Sequence, residues 1–460
     1  MPSNEKQMEE LAVYRTADSE GSPRAVGSIE EREVFGDDKN HQIKYRTLSW
    51  PFVAMIMITE IVTGGTLTLP QALAVVGIVP GLILIIFCGV FALFTSLILI
   101  DFKINHPEVH NMGDAGYIIF KPFGLGAVGR EVLSFGTLLF AITAVGATAL
   151  LGQEALTTLS SSRLCLMLYT GIFSIPILLC ALPRTLNTGL SWFSMVACLS
   201  VFIACIVAMA GSAAEPTPNR VVSVTVPSNF YTAFLSITNP VIAYAGHFMF
   251  FPLISEMHTP RDAKKAAWCL QTFATAFYAV FAVVTYCYLG SNVQNPSLLS
   301  LSPKWAKAAW GLFLPNILIA GSLYNHTAAK IVFVRLFRGS KHLHDHTVTG
   351  WLSWIGLVLL MNAAGFVLAV GVPIFAYLCG IAAALFASWY TYGLAGAFWW
   401  HDVYYLEGGW PALKRRWFMY VIAILTILAG AFICVAGLYA IIKSLVIAYA
   451  DGSVGSPFSC

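Results

Sequence analysis

The sequence predicts an all-α polytopic membrane protein, and three observations carry that prediction. Of its 460 residues 58% are hydrophobic and 11% charged, with a mean hydropathy of +0.74, far too apolar for an ordinary soluble globular chain. Apolar runs of the ~20-residue length that crosses a bilayer recur through the chain. Two of those runs, five segments apart, are interrupted by Gly and Pro, a pattern that points to an inverted repeat with a binding site near the midplane. The net charge of +3 gives no reason to expect a nucleic-acid partner. No soluble catalytic domain, no CxxC pair and no metal-type cysteine spacing is present, so neither an enzyme nor a metal or other cofactor is expected.

In chain order, residues 1–49 are polar, rich in Glu and Asp and without a signal-peptide core, and read as a disordered cytoplasmic tail. Apolar runs predict spans near 50–76, 80–104, 126–152, 164–182, 189–211, 229–256, 266–290, 305–334, 348–370, 372–399 and 417–448, about eleven in all. They divide into a first repeat of five helices (50–211), an inverted second repeat (229–399), an eleventh helix (417–448) and an outer tail (449–460). Lys44, Arg46, Lys103, Arg184, Arg261, Lys265, Arg335, Arg338 and Lys414 fall on one side of this topology. Only Arg163, Arg220, Lys304, Lys307 and Lys443 fall on the other, which places the N-terminus in the cytoplasm and the C-terminus outside. Lys330, Glu131 and Glu154 lie near span ends, where snorkelling to the interface is expected.

Span 1 contains EIVTGGTLTLP from Glu60 to Pro70. Backbone groups in a bilayer must be paired within the protein, so a helix interrupted at Gly64-Gly65 survives only where it is buried or lines a polar cavity. Span 6 contains TNPVIAYAGHFMFFP from Thr238 to Pro252, with two prolines and a glycine beside a histidine. An odd number of crossings per repeat inverts the second unit relative to the first. Amides freed near Gly65 and Thr66 present partial positive charge to a carboxylate. Carbonyls freed at Ile61 to Thr63, and from Ala243 through Tyr244 to Ala245, would take an ammonium or a cation. The simplest ligand carrying both groups is an amino acid.

The Thr63–Pro70 stretch resembles the first-helix motif of the amino acid/auxin permease family. Tyr244-Ala245-Gly246-His247-Phe248 through Pro252, with Glu256, is similar to its helix 6 signature. Ala320–His326 followed by Phe333–Arg338 most resembles fungal neutral amino-acid permeases of this family, part of the wider APC superfamily. The likeness covers about residues 45–445. It implies the five-plus-five inverted-repeat fold of the bacterial leucine transporter with an eleventh helix, and secondary active transport of amino acids. The paired Gly64-Gly65 and the extra aromatic in Phe250-Phe251 depart from the family pattern, so substrate preference does not carry over.

Ionisable groups at membrane depth are functional candidates. Glu60, one turn before the first break, could exchange a coupling proton or fix the unwound segment. His247 in the second break and His326 in span 8 are further candidates. The resemblance implies proton coupling; sodium is the alternative driver, with Ser322 offering a hydroxyl. Spans 1, 3, 6, 8 and 10 should line the side-chain pocket, with Phe135, Gly136, Phe140, Phe248, Phe375 and Tyr377 contributing. That uncharged lining favours neutral, apolar or aromatic substrates. A non-transporting amino-acid sensor of the same fold is the other reading. His342, His344, Asp345 and His346 form a cluster worth testing for metal, although a solvated loop fits them better. Eight cysteines lie in apolar runs as packed hydrophobes; Cys165 and Cys460 could pair outside, without support from their spacing. The partners expected are the amino-acid substrate and the bilayer, with no obligate protein partner, and the plasma membrane is favoured over the vacuole.

Overall fold

A computed structural model describes residues 34–35, 42–161, 164–186, 190–372 and 374–450. Among these residues the chain is built of helices, with one isolated parallel bridge between Leu48 and Met257. Among the described residues nine helices are long and apolar enough to cross a membrane, and ten if the bent pair Trp50–Ile61 and Gly64–Val76 counts as one span. The fourth expected span is the shorter apolar helix Leu166–Cys180. Helices outrun their apolar runs: span 3 is Gly126–Ser160 and span 8 is Pro303–Phe337. Hydropathy registers only the lipid-depth portion of a helix, while i→i−4 bonding continues until something stops it. Span 3 stops at Ser161, which adopts the left-handed conformation at φ 60°, ψ 44°.

Described residues before Trp50, within the stretch expected as tail, are packed against the bundle. Ile43, Tyr45 and Leu48 are buried. The Ile43 amide donates to the His344 carbonyl at 2.9 Å, and the Tyr45 hydroxyl to Leu343 at 2.9 Å. The Leu48 amide donates to Glu256 at 3.0 Å, and the His258 amide returns to Leu48 at 2.9 Å. Residues 1–33 and 36–41, the tail from 451 and Cys460 lie outside the described residues. At the opposite end, the Val79 amide donates to Val224 at 3.1 Å and the Ser291 amide to Val221 at 3.0 Å. Each set of connections expected on one side of the bilayer is thus gathered at one end of the bundle.

Two expectations for individual side chains change. Lys330 does not snorkel: it is 2% exposed, ion-paired with Glu256 of span 6, and its ammonium lies 4.7 Å from the Tyr45 ring centroid. A buried ammonium needs a counter-charge, and tertiary packing supplies one 74 residues away. Cys165 is disulfide-bonded, whereas the eight cysteines expected as packed hydrophobes are free thiols. Span 10, Phe375–Leu406, carries an unexpected π-helical segment at Ala383–Gly393; wide turns of this kind recur at functional sites.

Candidate functional site

The span 1 helix stops at Ile61 because Val62 and Thr63 leave helical geometry, at φ −82°, ψ 69° and φ −134°, ψ −132°. The second half begins at Gly64, and its axis is bent 50° from the first. The Thr63 side chain gives this new N-terminus no cap, so the first-turn amides of Gly64 and Gly65 have no intrahelical partner. Span 6 breaks correspondingly. Helix Phe230–Ala243 ends, Tyr244–Gly246 is unwound, His247–Met249 makes one tight turn, and Phe250–Ser255 resumes.

The two breaks meet. A Cβ on Gly65 would lie 2.7 Å from the Ala243 Cα, and one on Gly246 would lie 2.6 Å from the Ile61 Cδ1. Gly65 therefore serves backbone-to-backbone approach between the spans, besides forming part of the cavity wall. Gly64 faces side chains instead, with the Phe375 Cζ 2.7 Å from where its Cβ would stand.

Not all of the carbonyls expected to be open are free. The Tyr278 hydroxyl on span 7 lies 2.8 Å from both the Ile61 and the Ala243 carbonyl oxygens and joins the two breaks through one donor. The Tyr324 hydroxyl on span 8 donates to the Glu60 carbonyl at 2.8 Å. Thr63 and Tyr244 carbonyls accept from the Thr66 and Gly246 amides at 3.0 and 3.1 Å. A buried carbonyl without a donor costs about 1–3 kcal/mol; the two phenols satisfy Glu60, Ile61 and Ala243, and backbone amides satisfy Thr63 and Tyr244. Sequence reasoning missed both tyrosines. The available signal was that a tyrosine inside an apolar span carries a hydroxyl that must find a partner.

A cavity of about 50 Å³ opens beside the span 1 break. Its wall comes from Glu60, Ile61, Thr63, Gly64 and Gly65 on span 1, and from Phe140, Thr143, Ala144, Ala147, Thr148 and Leu151 on span 3. Ile242, Ala245 and Phe248 of span 6, Tyr324 of span 8, and Phe375, Cys379 and Ala382 of span 10 complete it. Glu60 is its one ionisable carboxyl group. That side chain is fully buried, and among the described residues neither of its carboxyl oxygens has a hydrogen-bond partner; the Thr63 hydroxyl has none there either. A larger cavity of about 270 Å³, lined by Phe35, Arg46, Lys103 and His258 among others, lies at the bundle end and includes no residue of either break.

Several expected site residues lie elsewhere. Phe135 is 63% exposed on the outer face of span 3, since its helical position points away from Phe140. Gly136 meets the Tyr390 hydroxyl rather than the cavity, and Tyr377 is outside the cavity wall. Thr66, Ala243, Tyr244 and Gly246 are behind that wall; the Tyr244 hydroxyl donates to Ile85 at 3.1 Å. His247 turns away toward span 2. Its Nε2 lies 2.9 Å from both the Ser96 Oγ and the Ala92 carbonyl, and its ring stacks on Phe250 at 4.8 Å. Ser322 donates to its own helix at Leu318, 2.7 Å, and to Ile177 at 3.2 Å. His326 sits edge-on to Trp354 with 5.1 Å between centroids.

The histidine-rich connection does not converge on a metal site. His342 Nδ1 pairs with the Thr347 hydroxyl at 2.8 Å, His346 Nδ1 accepts from the Trp351 indole at 3.0 Å, and His344 lies against the Tyr45 ring.

Residues 46–443 match the family described as transmembrane amino acid transporter protein. The chain belongs to that family. It is 30% identical to a transmembrane transporter of Gibberella moniliformis, over 98% of this chain and 95% of that one. It is 27% identical to the N amino acid transport system protein of Neurospora crassa, over 94% and 92%. Among solved structures, Mhp1, a nucleobase-cation-symport-1 family transporter in a closed conformation with bromovinylhydantoin bound, aligns at 14% identity. That alignment has a TM-score of 0.47 and covers 90% of this chain and 95% of Mhp1.

Proposed function

We propose that this amino acid transporter is a proton-coupled symporter of neutral amino acids, working by alternating access around the paired breaks of a five-plus-five inverted repeat. One observation carries the reading: the Glu60 carboxyl group is buried in the cavity wall beside the span 1 break without a donor or a cation. As an anion it costs several kcal/mol in such a place, and a proton on it removes that cost. The carboxyl can therefore sense whether a proton has entered with the substrate.

The uncapped amides of Gly64 and Gly65 suit the substrate carboxylate. Backbone carbonyls at the breaks suit its ammonium, which leaves the Glu60 carboxyl, one turn away, to hold the coupling proton while substrate is bound. Around these groups the wall is mostly aromatic and aliphatic, so a charged substrate side chain would be left unpaired. A cavity near 50 Å³ is about a third of the 150 Å³ that accepts a benzene ring. In this arrangement a small aliphatic side chain fits, and an aromatic one requires Phe248 or Phe375 to move.

Proteoliposome uptake of a neutral, acidic and basic amino-acid panel, with and without an imposed proton gradient in sodium-free buffer, tests the proposal. Gradient-driven accumulation of neutral amino acids is expected, and Glu60→Gln should lower it about tenfold or more while counterflow exchange persists. Sodium dependence without a pH effect overturns the proton assignment, and ligand binding without accumulation in the wild type makes the chain a sensor.

A further inference from the structure

A second cluster, outside the transport cavity, joins the end of span 2 to the end of span 10. His106 closes the helix Ile78–Asn105, and His401 and Asp402 lie in the last turns of Leu394–Leu406. The two elements are pinned together just inside by Phe102 stacked on Phe398, with 4.6 Å between centroids. His106 Nε2 lies 2.9 Å from Asp402 Oδ1, and His401 Nδ1 lies 3.1 Å from the same oxygen. One ligand-capable atom from each of the three residues falls within 4.8 Å of the others. All three side chains are largely buried, at 11%, 8% and 13% exposed.

We propose that His106, His401 and Asp402 bind a transition-metal cation of the zinc class. Two imidazole nitrogens and a carboxylate oxygen are the donor set such ions take, with water in the fourth position. Bonds of ~2.0–2.1 Å in tetrahedral geometry separate neighbouring ligand atoms by about 3.3 Å. For the cation to replace the protons between them, the two N···O contacts open by a few tenths of an ångström and the two imidazoles, whose ligand atoms lie within 4.8 Å, close toward the same spacing. The surroundings also fit. Metal-bound carboxylates are held by outer hydrogen bonds, and the Asn105 amide donates to Asp402 Oδ2 at 2.8 Å. A bound ion ties span 2 to span 10 at this end.

The test uses tag-free, full-length protein in nanodiscs, stripped with EDTA and titrated with Co²⁺. One equivalent should give the visible absorption of four-coordinate Co²⁺, and Zn²⁺ should displace it. His106→Gln and His401→Gln should each weaken binding at least ~10–100-fold. His342→Gln with His346→Gln should change nothing. Thermal midpoints measured without metal establish that each variant is folded, and Asp402→Asn, which preserves size, replaces either histidine variant that is not. The proposal is overturned if wild-type protein gives no cobalt band, or if folded His106, His401 or Asp402 variants bind as tightly as wild type. Loss of the band in the His342/His346 variant overturns it equally.

Discussion

The two helix breaks look alike in sequence and differ in how they are used. At the span 1 break, Glu60, Ile61, Thr63, Gly64 and Gly65 all reach the cavity, and the Glu60 carboxyl and the Thr63 hydroxyl have no partners. At the span 6 break, most of the polar groups are already engaged: Tyr244 with Ile85, His247 with Ala92 and Ser96, and the Ala243 carbonyl with Tyr278. Only Ala245 and the neighbouring Ile242 and Phe248 touch the cavity from that side. Span 1 therefore supplies the unsatisfied polar groups a ligand can use, and span 6 supplies a braced wall. Unmet hydrogen-bonding capacity separates a binding surface from a structural one more sharply than a broken helix does.

This division can be broken where the two spans touch. Gly65→Val should have the largest effect, because even its Cβ would stand 2.7 Å from the Ala243 backbone. Overpacking of this kind costs about 1–3 kcal/mol and forces the breaks apart, so uptake should fall to background while membrane insertion persists. Normal uptake by the valine variant would show that the contact does not matter. Tyr278→Phe comes next. Removing the hydroxyl leaves the Ile61 and Ala243 carbonyls without that shared donor, at about 1–3 kcal/mol. A lower thermal midpoint and about tenfold slower uptake are expected; an unchanged midpoint would mean that water substitutes freely.

The smallest effect sharpens the comparison most. His247→Gln should lower stability by about 1 kcal/mol, the net worth of an ordinary hydrogen bond, and leave the response of uptake to an imposed proton gradient unaltered. If the gradient response disappears in this variant, as is expected of Glu60→Gln, span 6 shares the coupling role and the division between the breaks is wrong.

Much of this site was legible in the chain. Gly64-Gly65 and Gly246 mark the interrupted stretches to within about two residues, the breaks themselves falling at Val62-Thr63 and Tyr244–Gly246, and Glu60 is a carboxylate in an otherwise apolar run. Backbone satisfaction in lipid is a local, sequence-readable constraint, so the positions of the breaks and their link to a cavity followed from it. Facing was not legible to the same degree. Phe135 and Phe140 are both apolar residues of one helix, yet one is 63% exposed and the other 2%. In a bilayer both lipid and core are apolar, and composition cannot separate the two faces.

What the sequence by itself determined is the class of the molecule, the interrupted helices and the carboxylate beside them, because those depend on hydrophobicity and on what Gly and Pro do to a backbone. What only the tertiary structure decided is which partners meet across the chain. Tyr278 reaches Ile61 over 217 residues, Tyr324 reaches Glu60 over 264, and His106 reaches Asp402 over 296. Hydrogen bonds and metal ligation are short-ranged and directional, so such pairs exist only after packing fixes every helix's rotation and depth. The sequence pointed to Lys341–His346 as the metal candidate because those histidines are neighbours along the chain; the fold assembles its convergent His-His-Asp group from spans 2 and 10.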